Sequence, residues 1–369
     1  MSVVSILDRA LDGERISDED ALTLLESRDL VAVGRASDEL RNRKIDRRRV
    51  TFVIDRNLNY TNVCYTDCDF CAFYRRPGDQ REGYLLPKPV IFKKIEETLA
   101  LGGTALLMQG GHHPDLGVDY YEDLFSSIKS RYKIHLHALS PSEVQHAARR
   151  SKLTIPQTLT RLRDAGLDSL PGGGAEIFAE RVRRRISHDK ADADRYLAIH
   201  RLAHGLGIRS NVTMLYGHIE TMEERVDHML RVRALQDETD GFQAFIPLAF
   251  HPDNNQMRKL PAPSATDTLR VHAVARLLLD NVPHIKAFWI ATGVEVAQIA
   301  QWYGANDLDG TVQEERIYHM AGSRTPEAMT PATIRRLIRA AGREPLERDT
   351  LYNVIEPEAV TPTAAAVRP

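Results

Sequence analysis

Val50-Thr-Phe-Val-Ile-Asp-Arg-Asn-Leu-Asn-Tyr-Thr-Asn-Val63 runs without a break into Cys64-Tyr-Thr-Asp-Cys68-Asp-Phe-Cys71. The first run reads as a strand, and the second as a loop that carries three thiols. Downstream, short apolar runs alternate with amphipathic helical stretches. Candidate strands cover residues 50–63, 105–109, 134–139, 166–170, 211–216, 242–250, 285–291 and 308–312. Helical spacing fills 88–101, 120–131, 141–150, 155–165, 195–206, 223–237 and 267–281. Several of these helices stop at glycine, as in Leu101-Gly-Gly, Ala165-Gly and Leu206-Gly, the expected C-terminal signal. Strands joined by helices of this length form right-handed βαβ units and a parallel sheet. Eight such repeats predict an α/β chain folded as a (β/α)8 barrel of the TIM type rather than a doubly wound sheet.

Upstream of that strand, residues 1–49 read as a helical extension. Ser17 and Asp20 have capping-box spacing. The run Arg41, Arg43, Lys44, Arg47, Arg48 and Arg49 reads as a solvated helix end, because no aromatics are interleaved as a nucleic-acid surface would need. The barrel is expected over 50–322 and a helical C-terminal segment, with a helix at 331–341, over 323–355. The tail 356–369, rich in Pro, Ala and Thr, is expected to be disordered.

The 369 residues are 43% hydrophobic and 27% charged, ordinary for a globular protein. Lys plus Arg number 49 against 51 Asp plus Glu, a net charge of −2, which gives no reason to expect nucleic acid or an anionic membrane as partner. No run of apolar residues is long enough to span a bilayer. The N-terminus lacks the basic and apolar regions of a secretory signal. The three cysteines, all within 64–71, are odd in number and too clustered for a disulfide scaffold. A cytoplasmic protein with one local use for its thiols is expected.

Thiolates favour iron–sulfur clusters or zinc. A structural zinc needs four protein ligands, for which His112 or His113 is the available completion. Tight spacing on one loop fits a 4Fe–4S cluster better: Cys64, Cys68 and Cys71 hold three irons and leave the fourth open to an exogenous ligand.

With Phe70 before the last cysteine, this triplet after a first barrel strand resembles the radical S-adenosylmethionine superfamily. The resemblance implies two cofactors, a 4Fe–4S cluster and S-adenosylmethionine, and release of a 5′-deoxyadenosyl radical. It also implies a small-molecule substrate and a reductant such as flavodoxin or ferredoxin. A narrower similarity, to the radical enzymes of the futalosine pathway to menaquinone, rests on Asn59-Tyr-Thr-Asn-Val-Cys64, Cys71-Ala-Phe-Tyr-Arg75, Gln109-Gly-Gly-His-His-Pro-Asp115, Pro171-Gly-Gly-Gly-Ala-Glu176 and Leu235-Gln-Asp-Glu-Thr239. Asp55-Arg-Asn-Leu-Asn-Tyr-Thr-Asn62, Gln109-Gly-Gly-His-His113 and Leu136-His-Ala-Leu-Ser-Pro-Ser-Glu143 look like the cyclic dehypoxanthine futalosine synthases. Phe245-Ile-Pro-Leu-Ala-Phe-His-Pro252, Asp307-Leu-Asp-Gly-Thr-Val312, Ile317-Tyr-His-Met-Ala-Gly322 and Glu347-Arg-Asp-Thr-Leu-Tyr352 look like the aminodeoxyfutalosine synthases. Ala291-Thr-Gly293 returns to a cyclase-like ending of the seventh strand, and strand ends carry barrel chemistry, so the cyclase resemblance is given more weight.

The resemblance places Gly110 and Gly111 beside the methionine amino group and Glu176 at the ribose hydroxyls. The bland alternative for Glu176 is a helix-cap carboxylate that compensates Arg181, Arg183, Arg184 and Arg185. Ser140 either meets the cofactor or caps the helix that starts at Pro141. His112, His113 and His218 are candidate bases. Tyr60, Asp115, Glu220, His251 and Thr292 are candidate substrate contacts. Met214 and Trp289 read as core residues within strands.

Overall fold

The computed structural model describes residues 2–46 and 48–355. Among them run β1 (Arg49–Val53), β2 (Asp55–Leu58), β3 (Ala105–Met108), β4 (His135–Ala138), β5 (Ser169–Leu170), β6 (Arg209–Tyr216), β7 (Phe242–Ala249), β8 (His284–Ile285), β9 (Asp307–Gly310) and β10 (Glu344–Glu347). β2 to β8 pair in that order and every ladder is parallel. β9 and the residues that follow it link the two ends of this sheet: Lys286 bridges Asp307, and Arg56 bridges Gln313. The chain therefore forms the expected α/β barrel, with β9 shared between it and a small sheet of order β10-β1-β9. Helices cover the outside. In Val118–Lys129 the buried face is Val118, Tyr121, Leu124, Phe125 and Ile128, a 3.6-residue stripe that faces the sheet. Each such side chain contributes roughly 1.5–3 kcal/mol by leaving water.

Three sequence expectations change. The continuous strand 50–63 is two strands. At the break the Thr311 hydroxyl takes the Asp55 N–H (3.0 Å) and donates to the Asp55 carbonyl (2.7 Å), so β1 turns out to the small sheet and β2 enters the barrel. Past Leu58 the chain leaves the sheet for the cysteine loop. The expected strand 285–291 pairs only at its start: Trp289–Thr292 is a helical turn. Trp289 is still a fully buried core residue, and its indole N–H donates to Gly310 O at 3.0 Å. The segment 323–355 holds the helix Pro331–Ala340 and also β10, parallel to β1.

The N-terminal extension is helical, at Val3–Leu11, Asp18–Glu26 and Leu30–Lys44, and the Ser17–Asp20 capping box is present. The basic run is not wholly solvated. Arg41 is buried and donates to the carbonyls of Ala305 (3.1 Å) and Arg49, which pins Leu30–Lys44 to the barrel beside Ala265–Leu278. Arg47 and the tail 356–369 lie outside the described residues. No helix among the described residues is long and apolar enough to cross a membrane.

Candidate active site

A cavity of about 280 Å³ runs through the barrel from the cysteine loop to the C-terminal segment. Cys64, Cys68, Phe70 and Cys71 line its mouth. The loop is fixed by its backbone: Cys64 N–H donates to Arg75 O (2.8 Å) and Cys71 N–H to Cys68 O (3.0 Å). The Cys64 sulfur accepts the His112 N–H at 3.2 Å and lies 2.8 Å from the Thr66 hydroxyl. Burial pushes the Cys68 thiol up to about 12 and raises Cys71 as well, so these sulfurs become thiolates when a cation coordinates them. A single zinc at ~2.3 Å from each sulfur would need them roughly 3.8 Å apart. Among the described residues the grouping with all ligand atoms within 4.8 Å is instead the largely exposed Asp67, His188 and Asp189. Three spread thiols facing one cavity fit a cluster with a vacant iron, and neither His112 nor His113 joins them as a fourth ligand.

The second strand end comes against this loop because Gly110 and Gly111 have no side chain. A Cβ on Gly111 would lie 2.3 Å from Val63 O, and one on Gly110 2.8 Å from the Tyr60 ring. Glu143, which residue-by-residue reading missed, organises this wall. It accepts the Gly110 N–H (3.0 Å), the Tyr60 hydroxyl (2.8 Å) and the Ser140 N–H (2.6 Å). Ser140 caps Pro141–Ser151 through the Glu143 N–H (3.2 Å) and also lines the cavity. The capping-box spacing of Ser140-Pro-Ser-Glu143 was the available signal. Tyr60 is buried behind Gly110, bonded to Glu143 and 3.0 Å from the Tyr121 hydroxyl, rather than on the cavity lining.

Gly172 (φ 79°) starts the turn after β5, and a Cβ there would lie 2.1 Å from Asn211 O. This turn aims Glu176 (φ 49°) at the cavity. Its carboxylate pairs with Lys190 at 2.6 Å, not with the arginine run. Arg181 pairs with Glu224, Arg184 with Glu180 and Arg185 with Asp69, while the buried Arg183 donates to the carbonyls of Ala175, Ile177 and Ala191. The Lys190 ammonium lies 5.1 Å over the Phe70 ring. Cys68 and Glu176 raise its pKa against burial. No local sequence signal marks Lys190, since its partners meet it only in space.

The candidate histidines separate. His112 is buried on the cavity lining, its ring stacked 5.3 Å from His146, and desolvation holds it well below the usual imidazole range. His251 also lines the cavity and donates from Nε2 to Ala291 O at 2.8 Å. His113 and Asp115 form an outward turn, with the Asp115 N–H on His113 Nδ1 at 3.2 Å. His218 pairs with Glu220 at 3.0 Å, and that carboxylate is taken up by Arg225 (2.8 Å) and the His218 N–H (2.9 Å). The Thr292 hydroxyl bonds Phe288 O at 3.2 Å. None of these last five residues lies on the cavity lining.

The floor is charged and closed by the C-terminal segment. Lys286 pairs with Asp309 at 2.8 Å, and Arg348 grips Asp307 through two nitrogens, at 2.5 and 3.0 Å. Burial and the neighbouring Asp309 raise the Asp55 carboxyl to about 7. His137 and Asn211 complete this layer.

A radical SAM superfamily model matches residues 58–232, and a model of the CofH/MqnC C-terminal region matches residues 239–360. The aminodeoxyfutalosine synthase of Thermus thermophilus is 45% identical over 96% of this chain and 96% of its own length. The cyclic dehypoxanthine futalosine synthase of Streptomyces coelicolor is 44% identical over 94% of this chain and 87% of its own. A 5-amino-6-(D-ribitylamino)uracil–L-tyrosine 4-hydroxyphenyl transferase of Methanopyrus kandleri is 40% identical over 96% of this chain and 98% of its own. The FeFe-hydrogenase maturase HydG of Carboxydothermus hydrogenoformans shares the fold, with TM-score 0.75 at 15% identity over 95% of this chain and 80% of that one. Methylornithine synthase (PylB) does so with TM-score 0.72 at 17% identity over 92% and 97%.

Proposed function

This chain belongs to the radical S-adenosylmethionine superfamily, and we propose that it is a futalosine-pathway cyclase that converts dehypoxanthine futalosine to its cyclic product. When bound, the 4Fe–4S cluster and S-adenosylmethionine supply a 5′-deoxyadenosyl radical at the cavity mouth. Cys64, Cys68 and Cys71 would hold three irons. The backbone at Gly110 and Gly111 would meet the methionine amino group, and Glu176 would take the ribose hydroxyls. Lys190 offsets the negative charge that Glu176 and the thiolates bring to a buried site. Below them Leu107, Leu215, Ile246, Leu248 and Phe288 line the cavity. This apolar wall excludes water and holds the sugar C–H bond in reach of the radical. The sugar radical adds to the aromatic ring, and loss of one electron and one proton restores aromaticity.

The observation that carries this reading is that His112, His137, Ser140 and Glu143, all within the segments that resemble the cyclases, face the cavity or its wall. The second reading, aminodeoxyfutalosine synthase, is favoured by His251, Asp309, Tyr318 and Tyr352, which line the same cavity. There the adenosyl radical adds to 3-[(1-carboxyvinyl)oxy]benzoate and remains in the product. Anaerobic turnover of both substrates, with flavodoxin or ferredoxin as the proposed reductant, separates them. Cyclisation gives 5′-deoxyadenosine and an adenine-free product. A product that keeps the adenosyl group, without matching deoxyadenosine, overturns the proposal.

A further inference from the structure

A row of polar side chains leads away from the cavity and takes no part in the chemistry above. His137 of β4 lines the cavity next to Asn211 of β6, whose amide nitrogen lies 3.1 Å from His137 Nε2. On the other side His137 Nδ1 lies 2.6 Å from the Ser169 hydroxyl of β5, and that hydroxyl lies 2.7 Å from His135 Nε2. His137 and Ser169 are buried, whereas His135, two residues earlier on the same strand, is half-buried at its outer end.

The donors can be put in one order. Asn211 Nδ2 donates to His137 Nε2, His137 Nδ1–H donates to Ser169 Oγ, and the Ser169 hydroxyl donates to His135 Nε2. This assignment leaves Nε2 as the acceptor on the cavity side. The Asn211 carbonyl oxygen is buried without a partner, and turning the amide over would present that oxygen to a protonated Nε2. The surrounding charges slope outward. Lys286 and Arg348 face His137, with Asp55 and Asp309 on the same floor. Asp168 and Asp349 lie near His135, opposed there by Lys129. Desolvation lowers both imidazoles, which favours passing a proton on over keeping it.

We propose that His137, Ser169 and His135 form a relay that carries the proton released on ring closure from the cavity to solvent. The proposal rests on the cyclisation reading. As the Asn211 amide turns off the Nε2 lone pair, the ring C–H bond breaks and its proton goes to His137 Nε2, which then faces the Asn211 oxygen. The bond's electron pair stays in the ring, and the one surplus electron returns to the oxidised 4Fe–4S cluster. The His137 Nδ1 proton moves to Ser169, the Ser169 proton to His135 Nε2, and His135 releases its Nδ1 proton to water. One proton enters and one leaves.

The reconstituted holoenzyme tests this with Ser169→Ala, which removes the middle link without altering the cavity lining, and Ser169→Thr, which keeps the hydroxyl. Deoxyadenosine and cyclic product are followed from pH 6 to 9, with and without added imidazole buffer. Ser169→Ala should form product on the order of tenfold more slowly while still making deoxyadenosine. Added imidazole should restore its rate, and Ser169→Thr should behave as wild type. If Ser169→Ala does not fold, His135→Gln at the outer end should give the same signature. An unchanged product rate and pH profile, or an equal loss of deoxyadenosine and product, overturns the relay alone. A wild-type product that keeps the adenosyl group overturns the cyclisation reading, and the relay with it.

Discussion

Lys190→Met is the most informative single change at the cavity mouth. The ammonium lies 2.6 Å from the Glu176 carboxylate, whose side chain is 7% exposed. Removing it leaves a buried carboxylate without its cation, at a cost of about 3 kcal/mol, the low end of the range because the lysine itself keeps some access to water (17%). At roughly 2.1 cal/mol/K per residue, a 369-residue chain loses about 0.8 kcal/mol per kelvin. The midpoint should therefore fall by about 4 °C. Glu176→Gln in the Lys190→Met background should recover most of the loss, as a coupled pair requires. Anaerobic thermal unfolding of the reconstituted protein at pH 8 measures both the loss and its recovery. A Lys190→Met midpoint equal to wild type at pH 8, or a double variant no better than the single, refutes the reasoning.

Cys71→Ser should lose the cluster, read as iron content and visible absorbance after reconstitution, together with all S-adenosylmethionine cleavage; retained turnover would contradict the ligand assignment. Gly111→Ala places a methyl 2.3 Å from Val63 O and 2.8 Å from the Cys64 Cβ, so the cysteine loop must shift. We expect at least a tenfold drop in cleavage with the fold intact by circular dichroism, and wild-type cleavage would show that the close approach is unimportant. Asp55, raised to about 7, keeps its proton in the folded state after the unfolded chain has lost it. Stability should thus fall as pH rises from about 4 to about 7. Asp55→Asn should flatten that slope in urea titrations, and an unchanged slope would place the titration elsewhere.

The barrel was legible because βα alternation is a local pattern and each unit carries its own stop signals. What the pattern could not show was set by distant residues. Nothing within 50–63 marks the break at Asp55, since Thr311 imposes it from 256 positions away. Lys190 was missed for a related reason, since its partner Glu176 meets it only in space; Glu143 carried a local signal in its capping-box spacing with Ser140, but its bonds to Gly110 and Tyr60 are long-range. His113, Asp115, His218, Glu220 and Thr292 were placed near the mouth by their position after strands. Which way a residue turns after its strand depends on local hydrogen bonds. The Gly217 and His218 N–H groups hold Glu220, and the Phe288 carbonyl holds Thr292. The buried Arg41 shows the limit of reading charge as exposure, because a guanidinium that meets two backbone carbonyls can dock a helix.

The two resemblances within the chain line one cavity and meet where β9 closes against β2. Segments similar to the cyclases supply β2, the turn after β3, most of β4 and the start of the helix at Pro141. Those similar to the synthases supply β7, β9 and the strap from Arg348 to Tyr352 that closes the floor. Generating the radical makes the same demand in either reaction, and in the proposed reading the three cysteines, Gly110, Gly111 and Glu176 would meet it at the mouth. The reactions diverge afterwards. The synthase reading ends in decarboxylation and keeps the adenosyl group. Cyclisation must discard a ring proton at a depth where the surrounding groups are buried. A proton lost there needs an acceptor with a way out, since a buried imidazole with no onward partner would return it. In this barrel the acceptor and its outward partners belong to β4 and β5. His137, the acceptor, lies within a segment on which the cyclase resemblance rests.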